Sequence, residues 1–197
     1  VFSREDALVG EKEDRINILL LGMGGPGHDG PYLTDTLLLV SIQPSTKRVA
    51  LVSIPRDTQV NIPGYGWYKI NHTNAFGEVQ QPGSGAAFAT KVVSDTFGID
   101  IPYYVRLDFE AFQDIIDEVG GIRVNVERSF VDTQYPAPKF AYQTISFQKG
   151  IQVMKGVRAL QYARSRHGTN GEGSDFARAR RQQKMLLAVK EKVLSFS

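Results

Sequence analysis

Three short apolar runs near the N-terminus, residues 16–21, 36–42 and 48–54, restrict the folds open to this chain more than any other feature. Each is too short for a stable helix and rich in Leu, Ile and Val, so each reads as a buried strand. Gly22 closes the first, Pro55 ends the third, and Pro44-Ser45-Thr46 turns the second into the third, which makes a hairpin of that pair. Helical patterns then interleave with strands. Residues 84–97 are Ala-rich, with Val92, Val93 and Phe97 at helical spacing before Gly98. Residues 103–107 are strand-like. Phe109, Phe112, Ile116 and Val119 form a helical stripe that Gly120-Gly121 stops, and residues 122–126 alternate as a half-buried strand should. Residues 130–151 are mixed and aromatic and read as irregular strands and loop, followed by helices over 155–164 and 174–196. This alternation predicts an α/β fold, a three-layer α/β/α sandwich with a central mixed β-sheet. No repeat or boundary interrupts it, so residues 1–197 read as a single domain.

Composition excludes several chemistries. There is no cysteine, hence no disulfide, thiol nucleophile or Cys-based zinc site, and the histidines at 28, 72 and 167 lack metal-ligand spacing. The longest apolar run is far too short to span a bilayer. Beginning at Val1-Phe2-Ser3 rather than Met, the sequence reads as part of a longer chain, which leaves room for an N-terminal anchor outside it. The net charge of +2 hides an asymmetry: residues 157–197 carry nine Lys and Arg against three Asp and Glu. Such a split points the last fifth of the chain toward an anion, although a merely solvated basic helix has the same composition.

The last helix sharpens that choice. Met185, Leu186, Val189 and Val193 share one face at about 100° per residue, and its extension backwards includes Asp175, Arg178 and Gln182. Arg181, Lys184 and Lys192 are expected on the solvent side. Buried charge needs partners or a polar cavity. Asp175 and Arg178 could simply pair with each other at i, i+3. In the preceding helix Arg164 shares a face with Val157 and Leu160, and Arg166 follows two residues later. Arginines gathered near one cavity call for an anion between them, and guanidinium forks match phosphate oxygens bidentately.

A second basic site is expected where the third strand ends in Pro55-Arg56-Asp57, with Lys69 and Asn71 downstream. Ligands of α/β folds commonly bind at such sheet edges. Thr34-Asp35-Thr36 offers a carboxylate between hydroxyls, suited to Mg²⁺ against phosphate oxygens, though an Asp before a strand is also an ordinary turn residue. The glycine-rich stretch from Gly22 to Gly30 lacks Gly-Lys-Ser/Thr, which excludes a P-loop.

Taken in order, Ile18-Leu19-Leu20-Leu21-Gly22, Thr34-Asp35-Thr36, Ser53-Ile54-Pro55-Arg56-Asp57 and Lys69-Ile70-Asn71 resemble the LytR-CpsA-Psr family. Val105-Arg106-Leu107-Asp108-Phe109, Gly120-Gly121-Ile122-Arg123-Val124, the 159–166 segment ending Ala163-Arg164-Ser165-Arg166, and Asp175-Phe176-Ala177-Arg178 with Arg181-Gln182-Gln183 continue the resemblance. It implies a bacterial phosphotransferase, anchored in the cell membrane with its catalytic domain extracytoplasmic. Its donor would be a polyprenyl-pyrophosphate-linked glycan, its acceptor peptidoglycan or another wall polymer, and slow pyrophosphatase activity a side reaction. Arg56, Lys69, Arg164, Arg166, Arg178 and Gln182 would bind the pyrophosphate. Asp35 would hold Mg²⁺ or Mn²⁺, and Asp175 would orient an arginine or accept the acceptor's proton.

One departure from the family pattern stands out. Relatives usually carry an acidic residue just after the first-strand glycine, where this chain has Met23-Gly24-Gly25, so either Asp29 substitutes as a metal ligand from the loop or the metal is held less tightly. A non-catalytic lipid-binding or regulatory protein of the cell envelope is the rival reading. Nucleic-acid binding is not expected, because inward-facing arginines would not reach a duplex.

Overall fold

In the computed structural model, which describes residues 7–138 and 141–195, the three apolar runs form β1 (Ile16–Met23), β2 (Thr34–Gln43) and β3 (Arg48–Ile54). They belong to the first of two units into which the chain divides, Val1–Phe109 and Glu110–Ser197. β2 and β3 pair antiparallel as the expected hairpin, and β1 pairs antiparallel with β2. β6 (Tyr103–Leu107) joins the other edge of β1 in parallel, giving a mixed sheet of order β3-β2-β1-β6.

A parallel neighbour requires a crossover, and the intervening chain supplies helices α1 (Thr73–Gln80) and α2 (Gly85–Phe97). Ala86, Ala89, Val92 and Val93 form the buried stripe of α2, packed with Leu19, Leu21, Leu37, Leu39 and Ile54 of the sheet. Each fully buried Val or Leu contributes roughly 1.5–3 kcal/mol. Gly98 ends α2 in the left-handed conformation at φ 65°, its N–H donating to Ser94. At the other end Glu78 caps the helix, accepting from the backbone N–H of Gly83 at 2.8 Å and Gly85 at 3.2 Å. A Cβ on Gly85 would lie 2.5 Å from the Asn74 carbonyl oxygen, so α1 and α2 can cross there only at glycine. Helix α1 and a short hairpin, β4 (Gln59–Ile62) with β5 (Gly66–Lys69), were not apparent from the sequence pattern.

The second unit opens with α3, Phe109–Glu118 by its hydrogen bonding, whose first residue belongs to the first unit. β7 (Ile122–Val126) pairs antiparallel with β10 (Gly150–Met154). The aromatic stretch read as irregular strands and loop holds β8 (Phe130–Pro136) paired antiparallel with β9 (Tyr142–Phe147), with a register shift between Asp132 and Tyr135. Phe130 and Phe147 stack at 5.0 Å between ring centres, and Tyr162 meets Phe147 edge-on at 5.1 Å. Tyr162 lies on α4 (Gly156–Arg164), which is followed by a loop and then α5 (Asp175–Leu194). Ser174 caps α5 as expected, accepting from the Ala177 N–H.

The phase of α5 differs from the expectation. Its buried residues are Ala177, Arg178, Arg181, Met185 and Ala188, while Val193 is 49% exposed. Arg181, placed toward solvent from periodicity, is 1% exposed, and the Asp175 side chain, placed inward, is 55% exposed. Two alanines allow close backbone approach along the observed seam. The Arg181 guanidinium finds there a full set of acceptors that a hydrophobicity count does not register.

Candidate functional site

In the first unit the chain turns sharply after β3, because Pro55 cannot continue the ladder and Thr58 donates back to the Pro55 carbonyl at 3.0 Å. Arg56 is thereby placed beside the start of β2, where its guanidinium donates to Asp35. Arg56 Nε also lies 3.6 Å from Asp57 Oδ2, and Lys69 Nζ donates to Asp57 Oδ1 at 2.6 Å. Backbone bonds hold this row together: Ile70 N to Thr58 O at 2.8 Å and Asn71 N to Arg56 O at 3.3 Å. The result alternates Asp35, Arg56, Asp57 and Lys69. Two cations and two anions cancel, so any anion bound here would have to compete with the carboxylates. Pairs this exposed are worth about 0–1 kcal/mol each, so displacing them costs little. Asn71, buried beside this row, carries a side-chain carbonyl oxygen that finds no hydrogen-bond donor among the described residues.

In the second unit α4 delivers Arg164 in its last turn, with its guanidinium 5.6 Å over the Tyr135 ring. Burial pushes the Tyr135 hydroxyl above its ordinary value, with Arg164 opposing. Arg166 follows, and α5 returns Asp175 and Arg178. Asp175 Oδ1 lies 3.4 Å from Arg166 and 3.2 Å from Arg178, so the structure brings these two arginines to one carboxylate. Gln182 sits one turn further along, partly buried. Asp175 thus does pair with Arg178, but the pairing includes Arg166 as well and is not a self-contained i, i+3 bridge.

Sequence patterns did not reveal Asp132. It is buried and accepts from the Ser165 hydroxyl at 2.6 Å and from the Arg166 and His167 N–H groups at 3.2 and 3.1 Å. Burial opposes its ionisation, but the Ser165 hydroxyl and the N–H groups of Gln134, His167 and Arg166 outweigh it, and its pKa is lowered. Its position in an alternating strand was the only available signal, and that signal carries no chemistry.

For a divalent cation the donors are few. Asp29 is exposed in the loop after β1, Asp35 is paired with Arg56, and no three His, Asp or Glu side chains gather as a metal site among the described residues. Asp35, with its side chain 46% exposed, can serve as one oxygen donor. The remainder would have to come from phosphate oxygens and water, a common arrangement for Mg²⁺.

The chain matches the LytR_cpsA_psr family over residues 2–197. It is 37% identical over 188 residues to the polyisoprenyl-teichoic acid–peptidoglycan teichoic acid transferase TagU of Oceanobacillus iheyensis, covering 95% of this chain and 54% of that protein. It is 31% identical to the regulatory protein MsrR of Staphylococcus aureus, covering 94% of this chain and 51% of that one. The chain therefore spans about half the length of these curated relatives. The structure of the LytR-CPS2A-psr family protein YwtF (TagT) with bound octaprenyl pyrophosphate lipid superposes with a TM-score of 0.70 at 29% identity, over 98% of this chain and 70% of that one. With the family pattern covering both units and the arginine-bearing segments of each, the chain belongs to the LytR-CpsA-Psr family.

Proposed function

We propose that this chain is the catalytic part of an extracytoplasmic phosphotransferase, moving a glycopolymer from a polyprenyl-pyrophosphate carrier to peptidoglycan or another wall acceptor. The observation that carries this reading is the grouping of Arg166 and Arg178 on Asp175, with Arg164 at the adjacent helix end. Attack of a sugar hydroxyl on phosphorus, its proton passing to the Asp175 carboxylate or to water, breaks the bond to the bridging oxygen and leaves negative charge there as polyprenyl phosphate departs. Fixed guanidinium groups stabilise that charge without reorganising. Within the first unit, taken by itself, the proposed binding groups are Arg56 and Lys69; within the second unit they are Arg164, Arg166, Arg178 and Gln182. Asp175 orients two of them. Mg²⁺ or Mn²⁺, when bound through Asp35, would supply further neutralisation of phosphate charge. A TagU-type relative and a TagT-type structure holding a polyprenyl pyrophosphate support the substrate class.

Among the described residues no helix is long and apolar enough to cross a membrane, so a membrane anchor is part of the proposal and would lie elsewhere in the protein. The second reading is a lipid-binding protein without turnover, favoured by the charge-balanced Asp35–Arg56–Asp57–Lys69 row and by the absence of a carboxylate in Met23-Gly24-Gly25. Incubation with a polyprenyl pyrophosphate and Mg²⁺ separates the two. Release of polyprenyl phosphate supports the transferase, whereas saturable binding without release supports the carrier.

A further inference from the structure

The segment joining α4 to α5, residues 165–174, contains three glycines and two positive-φ residues, Asn170 at 58° and Gly171 at 81°. Such a stretch would ordinarily be mobile. Here it is fastened along one side to β8 and its approach. Asn170 Nδ2 donates to Ser129 O at 2.7 Å, Val131 N to Thr169 Oγ1 at 3.0 Å, and Thr169 N to Val131 O at 3.0 Å. The Asp132 carboxylate takes Ser165 Oγ and the N–H groups of Arg166 and His167. On the other side Arg181 spends its fork on the same segment. Nε donates to Tyr162 O at 2.8 Å, one terminal nitrogen to Glu172 O at 2.9 Å and Glu172 Oε2 at 2.7 Å, and the other to Ser165 O. Phe130 and Tyr162 rings flank the guanidinium at 5.1 and 5.8 Å. Ser165, one residue from both Arg164 and Arg166, is held by Asp132 through its hydroxyl and by Arg181 through its carbonyl.

We propose that Asp132 and Arg181 are positioning residues, a two-sided clamp that presets Arg164 and Arg166 for a pyrophosphate they themselves touch. The inference rests on the pyrophosphate reading above and adds to it that the grip is built before the ligand arrives. Ordering a loop and a long side chain on binding costs affinity, and a loop already ordered avoids that cost. A clamp made only for stability would not need charge, because buried ion pairs are often replaceable by apolar residues without loss. What an apolar residue cannot do is accept three donors from consecutive positions or donate to the carbonyls that end α4.

A double-mutant cycle on the intact chain tests this, with farnesyl pyrophosphate in Mg²⁺ as the calorimetric probe and thermal unfolding as a parallel readout. Asp132→Asn keeps the shape but sets an amide against the N–H groups of Arg166 and His167. Affinity is expected to fall about tenfold, the size of one charge-assisted contact. In an Arg166→Ala background the same substitution should cost no more than about twofold, because its effect passes through Arg166. Equal losses in both backgrounds would mean a general structural role and overturn the proposal, as would unchanged affinity in Asp132→Asn. If Arg166→Ala alone binds like wild type, it is the pyrophosphate reading that fails. Should Asp132→Asn not fold, Ser165→Ala removes one bond to the same carboxylate and is read through the same cycle. Arg181→Lys keeps the charge but loses the fork, and is expected to weaken the probe in the same Arg166-dependent way; an additive loss would remove Arg181 from the clamp.

Discussion

The Arg56 guanidinium donates to the Asp35 carboxylate where the end of β3 runs past the start of β2. The antiparallel register that sets Ile54 opposite Leu37 carries the chain on to this meeting. Both side chains are partly exposed, so the pair contributes little to folding. What the pair does is hold the cation at the end of β3.

Arg56→Ala is therefore expected to leave the fold intact while weakening a pyrophosphate lipid by roughly 1.5–3 kcal/mol, one to two orders of magnitude in Kd. Circular dichroism and calorimetry on the same sample measure both. Wild-type affinity in a well-folded variant would remove Arg56 from the site.

Asp35 is the carboxylate at that edge to which the family resemblance assigns the metal, and its present partner is a guanidinium. Mg²⁺ should thus bind the free protein weakly and the ligand complex clearly, since phosphate oxygens must complete the coordination. Asp35→Asn should abolish metal-dependent turnover, and Asp29→Asn should reduce it only in part. Tight Mg²⁺ binding to the ligand-free chain would place the ligands elsewhere.

Asp175 separates two guanidiniums that would otherwise repel each other. Replacing it with Asn leaves both arginines more available to an anion but less well oriented. The expected outcome is a kcat lowered by about tenfold or more with KM for the pyrophosphate lipid unchanged or smaller. A raised KM at unchanged kcat would mean that Asp175 serves binding alone.

Much of the framework was legible because its signals are local. The runs that became β1, β2 and β3 announce themselves by length and apolar content, and α2 by its alanines and terminal glycine. β4 and β5 were hidden because each has only four residues, and Trp67 and Tyr68 are exposed, so no apolar run marks them. α1 was hidden by Gly77, which disfavours a helix except where another helix must pass closely, as α2 does. The arginines of the site could be read as a motif, whereas their support could not. Asp132 and Ser165 are 33 residues apart, and neither position carries a chemical pattern until the chain folds. Arg181 was misplaced for the same reason. Periodicity counts apolar side chains, and its burial is decided by carbonyls at the end of another helix.

Tyr162 offers a test of that buried centre that needs no ligand. Burial pushes its hydroxyl up to about 12, against the opposing influence of Arg181, with Glu172 acting in the same direction as burial. An unfolded tyrosine titrates near 10. The folded state therefore keeps a proton that the unfolded chain releases in between. Its contribution to stability is complete below about pH 10 and declines as pH rises from there toward about 12. Tyr162→Phe keeps the ring against Phe147 and deletes the titration. Urea midpoints measured from pH 8 to 12 should fall less steeply for the variant than for the wild type in the upper part of that range, with Tyr135 contributing to the slope that remains. Parallel curves for the two proteins would mean that the Tyr162 hydroxyl reaches water in the folded state and that the packing around Arg181 is looser than its hydrogen bonds imply.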